Sequence, residues 1–291
     1  MSRILLPRVS PQTYRRATLA ALILLTVIVV TGAAVRLTGS GLGCSDWPNC
    51  EKGQLVAPRS FHPMIEFGNR MFTGLVVIAV IAAVLMSLRR EPRRRDLLWL
   101  SWGLVGGVIG QIVLGGITVL FDLNPALVAS HFLLSIVLVT DAVVLHHRAG
   151  REGEPAPPTT SPETRRLANV LLVAALAVIA AGTVVTGTGP HGGDETAHRF
   201  QFVMTDVARI HGVLVFGLVA LTVIIGVKLR REGAAPAAQR AVAILLAVEV
   251  AQGAIGYTQY FNGVPPLLVA VHVIGALGVW ISAMRVRLVF G

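Results

Sequence analysis

Eight apolar stretches, each about 20 residues long, recur along this 291-residue chain and restrict the folds open to it. They run roughly over 17–36, 64–88, 97–121, 126–146, 167–187, 204–228, 240–261 and 265–288. A helix of about 20 residues rises about 30 Å, the thickness of bilayer hydrocarbon. A helix also satisfies its own backbone polar groups where no water can. With 14% charged residues, 54% hydrophobic residues and a mean hydropathy of +0.72, the chain has too little charge to coat a soluble globule of this size. The fold class predicted is an all-α integral membrane protein with eight transmembrane helices. The first stretch resembles a signal peptide, but its apolar run of about 19 residues is too long for a typical signal core, so it reads as a retained helix.

Basic residues set the orientation, because Lys- and Arg-rich segments stay on the cytoplasmic side during insertion. Arg3, Arg8, Arg15 and Arg16 precede or open the first stretch. The second connection reads RREPRRR, the fourth and sixth are basic too, and Arg285 and Arg287 lie in the tail. Both termini and every even-numbered connection are therefore expected in the cytoplasm. A net charge of +10 and a pI near 11.1 suggest a nucleic-acid binder, but the charge recurs after every second span and forms no continuous stripe, so nucleic acid is excluded as partner. Membrane lipid is the surrounding medium.

The chain is written twice. QIVLGGITVLFDLNPALVASH, 111–131, aligns without a gap on QGAIGYTQYFNGVPPLLVAVH, 252–272. Gln111 meets Gln252, Gly115 meets Gly256, Pro125 meets Pro266 and His131 meets His272. A second echo pairs GAAVRLTGSG from Gly32 with GTVVTGTGPH from Gly182. Four helices per unit, an even number, give both halves one orientation and a pseudo-two-fold axis along the membrane normal. The predicted architecture is two pseudo-symmetric four-helix bundles in tandem parallel repeat: an N-terminal bundle over 1–150, a Pro- and Gly-rich cytoplasmic linker over 151–166, and a C-terminal bundle over 167–291.

Of eight histidines, His131, His211 and His272 lie inside apolar spans, where an ionisable ring is expensive and suggests function. His131 and His272 each follow a helix-opening proline by six residues, about 9 Å below the outer mouth. His211 stands near the same depth on the sixth span. Its repeat counterpart on the second span is Asn69. Facing imidazoles at one depth suit a haem, whose iron takes an axial nitrogen from either side. Zinc would need four nitrogen or sulfur ligands, which neither half supplies. The alternative is that each ring bonds a carbonyl across its bundle. No Cys-x-x-Cys-His is present, so a haem here is not attached by the c-type route.

Glu66 lies one turn before Asn69 on the same face. It either complements a helix dipole near the start of its span or points into the N-terminal pocket, able to take a proton or offset positive charge. Arg36, Arg70 and Arg209 lie at outer helix ends, where a guanidinium either snorkels to the interface or pairs with a carboxylate such as a haem propionate. Cys44 and Cys50, the only cysteines, face an oxidising compartment in GLGCSDWPNC and are expected to form a disulfide, with a purely structural or an electron-exchanging role left open. His62 and His191 belong to outer connections and are more often solvated or capping residues than ligands.

Together TGSGLGCSDWPNC, MIEFGNR and the single histidines of the fourth, sixth and eighth spans resemble the haem A synthase (CtaA) family. The resemblance extends over essentially the whole chain. It implies a bacterial cytoplasmic-membrane enzyme whose C-terminal half holds a haem b between His211 and His272. Its N-terminal half would receive haem O and oxidise the ring methyl at C8, by way of hydroxymethyl, to the formyl group of haem A for aa3-type terminal oxidases. By the same resemblance Glu66 matches the essential glutamate, His131 the fourth-helix histidine and substrate-iron ligand, and Cys44 with Cys50 the first-loop pair. Implied partners are the enzyme that supplies haem O, cytochrome oxidase assembly, and an electron acceptor or donor. Asn69 departs from the pattern, since many members have histidine there. A di-haem b electron carrier without catalytic turnover is the rival reading; an acid in one half only, Glu66 against Val207 and Ala208, speaks for catalysis. Parallel repeats without broken helices give a transporter little support.

Overall fold

The computed structural model describes residues 8–51, 53–152 and 160–291. Arg3 of the basic arm and residues 153–159 of the predicted linker lie outside them. Eight helices are found among the described residues: α1 (Pro11–Leu37), α2 (Phe61–Arg89), α3 (Arg95–Leu120), α4 (Pro125–Ala149), α5 (Pro162–Thr188), α6 (Met204–Arg231), α7 (Pro236–Phe261) and α8 (Pro266–Val289). All eight are long and apolar enough to cross a bilayer. Their outward faces carry large apolar side chains, including Trp99, Ile78 and Phe216, each more than 60% exposed, which lipid and not water would cover. The protein is a multi-pass membrane protein.

Most helices run past the apolar stretches that predict them, and α1, α4 and α5 begin at a side chain that caps a free N–H group. Ser10 and Ser161 cap α1 and α5 in the same way, each hydroxyl accepting from the backbone N–H three residues on at 3.2 Å, in the matching sequences SPQT and SPET. Proline opens α1, α4, α5, α7 and α8, where its missing N–H costs nothing.

Backbone geometry repeats along with the sequence. Asp122 and Leu123 leave α3 with φ of 49° and 56°, and their counterparts Gly263 and Val264 leave α7 with 74° and 58°. In each turn the second residue's N–H returns to an equivalent carbonyl, Leu123 to Thr118 and Val264 to Gln259. These matched turns deliver α4 and α8 into their halves in the same way.

Helix packing forms two rings: α1–α2–α3–α4 closes on itself, as does α5–α6–α7–α8. The rings meet where α1 packs on α8 and α4 packs on α5 and α8. Val29, Ile136, Val139 and Val143 from the first ring are buried in one cluster with Ile179, Leu277 and Trp280 from the second. Trp280 also donates from its indole to Thr140 Oγ1 at 2.9 Å.

On the side where α1 ends, the connections are stitched across the two rings. Gly41 N–H donates to the Gly193 carbonyl at 2.7 Å. Arg36 reaches from α1 to the carbonyls of His191 and Thr186, and His191 Nε2 bonds the Val264 carbonyl at 2.7 Å. Arg36→Ala is therefore expected to destabilise the detergent-solubilised protein by about 2–4 kcal/mol, because charge-assisted bonds to partly buried carbonyls are lost. An unchanged thermal midpoint would show that this stitch is not structural.

Candidate functional site

Each intramembrane imidazole rests against a glycine of the preceding helix. A methyl at Gly115 of α3 would meet His131 Cε1 at 3.2 Å, one at Gly182 of α5 would meet His211 Cε1 at 3.2 Å, and one at Gly256 of α7 would meet His272 Cε1 at 3.3 Å. The glycines let neighbouring helices approach until a ring fits edge-on between them. His211 Nδ1 lies 3.1 Å from the Val178 carbonyl, a bond that requires the Nδ1–H tautomer and leaves Nε2 with its lone pair. Nδ1 of His131 and of His272 is buried without a partner. Among the described residues no hydrogen bond engages Nε2 of the three rings. His211 of α6 and His272 of α8 belong to the same ring of helices.

The fourth position of the pattern differs. Asn69 Oδ1 accepts from Thr31 Oγ1 at 2.8 Å, and Gly32, the counterpart of Gly182, meets nothing within 4 Å. Thr31 stands where the second half has Ala181, so hydroxyl and amide together replace methyl and imidazole.

Glu66 is 5% exposed and both its oxygens are engaged. Oε2 accepts the Cys44 N–H at 2.8 Å, while Oε1 receives Arg70 Nη2 at 2.6 Å and Nε at 3.1 Å. The same guanidinium donates to the carbonyls of Asp46 and Asn49 and lies 5.2 Å from the Trp47 ring centre. Cys44 and Cys50 are joined as a disulfide, as the sequence predicts. The loop they close is thus tied to one turn of α2. Trp47 projects from that loop against Gly116, where a methyl would meet its Nε1 at 2.5 Å. Gly116 follows Gly115 on α3, so the disulfide loop and His131 contact adjacent residues of that helix.

The three predicted arginines have different surroundings. Arg70 is held by Glu66 and the disulfide loop, and Arg36 by carbonyls of the α5–α6 connection. Arg209 is 81% exposed, with Asp206 3.9 Å away. His62 Nδ1 pairs with the buried Ser40 hydroxyl at 3.0 Å, beside the mouth of α2.

Three residues of the interior escaped the sequence reading. Asp141 lies within α4 with its Oδ1 buried and unpartnered, close against Gly103. Glu249 lies within α7, 3% exposed, with one oxygen accepting from Thr222 Oγ1 at 2.9 Å and the other unpartnered. Acids inside apolar spans were visible in the sequence and were the available signal. The third is Trp47, whose position depends on the fold of the loop.

Comparison with known proteins identifies relatives of the chain. A heme A synthase of Listeria welshimeri is 36% identical over 132 residues, covering 43% of this chain and 41% of the relative. One of Geobacillus kaustophilus is 29% identical over 146 residues, covering 46% and 45%, and one of Lysinibacillus sphaericus is 31% identical over 129, covering 43% and 41%. Each match therefore spans less than half the length of the relative. The description "cytochrome oxidase assembly protein" belongs to the COX15-CtaA family, whose model matches residues 15–64 and 56–190, more than half of the 291-residue chain. The protein is a member of the COX15-CtaA family.

Proposed function

We propose that the protein is a haem A synthase, which takes haem O into its N-terminal half and oxidises the C8 ring methyl to the formyl group of haem A for aa3-type terminal oxidases. Family membership and the names of the relatives support the reaction. The observation that carries the division of labour is the unequal pair of residue sets: two imidazoles backed by glycines in one half, one imidazole and a bonded amide in the other.

The C-terminal pocket fits a resident haem b by its donor chemistry. The Val178 carbonyl at Nδ1 of His211 leaves Nε2 as the lone-pair nitrogen, and His272 has an unpartnered Nδ1 and no hydrogen bond at Nε2. His211 and His272 would hold the group, which when bound supplies one-electron transfer. Arg209, exposed at the outer end of α6, would pair with a propionate carboxylate. Arg36 and Arg70 contribute by shaping the connections that roof the two pockets.

In the N-terminal half His131 fixes the substrate iron. Gln111 donates to the His131 carbonyl at 3.1 Å and to Ser135 Oγ at 2.8 Å, which steadies that turn of α4. Glu66 offsets positive charge at the methyl being oxidised, or accepts its proton. The Cys44 N–H and Arg70, which hold the carboxylate, both belong to the disulfide-loop contact, and its about four acceptor sites leave it able to take a further bond. An amide held by Thr31 is a poor iron ligand, which argues against the second bis-imidazole site that a di-haem carrier needs. The basic connections support an orientation with both termini in the cytoplasm and the disulfide loop outside. The enzyme that supplies haem O, the oxidase assembly apparatus and an electron acceptor are the partners this reading implies.

Extraction and mass analysis of non-covalent pigments after co-expression with a source of haem O tests the proposal. Haem A and haem b together are expected. Haem O recovered unchanged alongside haem b would reject the reaction.

A further inference from the structure

Glu249 has no counterpart in the first half. The alignment that sets Gln111 on Gln252 places Val108 at its position, and Val108 is buried there to a similar degree, at 6% exposure against 3%. Four-helix packing at this level does not require an acid. Glu249 nevertheless carries one, with one oxygen on Thr222 of α6 and the other buried and unpartnered.

Its surroundings lead toward the proposed haem pocket. Gln252 lies one turn outward on the same face, and its amide occupies the space that a side chain at Gly275 of α8 would need. Gly275 is three residues after His272. Val248, next to Glu249, packs against Gly278, six residues after His272 and about 9 Å along the helix axis. The acid thus stands beyond Gln252, touching neither imidazole.

Helices α6 and α8 are the elements packed on α7. Their titratable or charged groups are Asp206, Arg209, His211, Lys228, Arg230 and Arg231 on α6, and His272, Arg285 and Arg287 on α8. Apart from the two imidazoles, all lie toward helix ends, and Lys228 is already paired with Glu163 and Glu232 at 2.7 and 3.5 Å. None forms an ion pair with Glu249. An electron arriving in this low-dielectric interior lowers the charge there by one, and none of these cations pairs with Glu249.

We infer that Glu249 is the proton-exchanging group of the C-terminal pocket, taking up one proton from water as the haem between His211 and His272 gains one electron from a quinol or a redox mediator, and releasing it on reoxidation. This rests on the haem b assignment above. On reduction the ferric centre gains the electron and the carboxylate gains the proton, so total charge in the pocket is unchanged.

Potentiometric titration of the haem-loaded protein across pH, in wild type, Glu249→Gln and Thr222→Ala, tests the inference. The wild-type midpoint is expected to fall with rising pH over a defined window, with a slope approaching about 59 mV for each tenfold change in proton concentration. Glu249→Gln should keep the haem b spectrum and lose the slope. Thr222→Ala, which retains the acid and removes its only hydrogen-bond donor, should displace the window and keep the slope. A flat wild-type profile, a slope that survives in Glu249→Gln, or an unmoved window in Thr222→Ala would overturn the role of Glu249 while leaving the haem site intact. A wild-type protein that binds no haem b would bring down both readings.

Discussion

Glu66→Ala is expected to lower haem A formation by roughly 10²–10⁴-fold, the range supplied by a positioned acid or base. Haem O or a partly oxidised haem should accumulate, and the haem b spectrum of the other half should remain. The structure adds a demand to this test, because the same carboxylate anchors the Cys44 N–H and Arg70. Its removal also loosens the disulfide loop. Arg70→Ala helps separate the two effects, since it breaks the contacts to Asp46 and Asn49 and leaves the acid and its Cys44 bond in place. If holding the loop through Arg70 is the whole role of Glu66, the two variants should lose haem A formation equally. If the role is chemical, Arg70→Ala should be markedly milder. Normal haem A output from Glu66→Ala would remove the residue from the reaction altogether.

His272→Ala should abolish the low-spin haem b spectrum, with His211→Ala behaving alike. The loss in haem affinity is expected to exceed roughly 100-fold, since outer-shell changes around a metal ligand already cost 10–100-fold. The cleared position lies against Gly256, so added imidazole has room to enter and should restore part of the spectrum in His272→Ala. A haem b spectrum unchanged in both variants would rule out these residues as axial ligands. Visible absorption of the purified variants, loaded under identical haem supply, decides the matter.

Much of the architecture was legible because hydropathy and internal repetition are properties of the chain alone. The spans were placed to within a few residues, and the gapless alignment of 111–131 on 252–272 anticipated the matched turns at Leu123 and Val264. Helix ends were less accurate, since caps such as Ser10 and Ser161 lie beyond the apolar windows. The partners of charged groups were least legible. Glu66 and Arg70 form an i,i+4 pair that spacing alone could have suggested. The carbonyls of Asp46 and Asn49 reach Arg70 only through the fold of the disulfide loop, and the His191 carbonyl reaches Arg36 from 155 residues away. Glu249 and Asp141 stand as single acids within long apolar runs, with no repeat partner in the other half to mark them.

Duplication leaves a trace at Gly32. Opposite the other three glycines a ring fills the gap between helices, whereas Asn69 is short and turned to Thr31, so this gap stays open. One base change separates asparagine codons from histidine codons, and the space beside Gly32 is open where the other half seats an imidazole. The two halves therefore stand a single codon step from matching at this point, and whichever chemistry keeps the amide in place does so against that short mutational path.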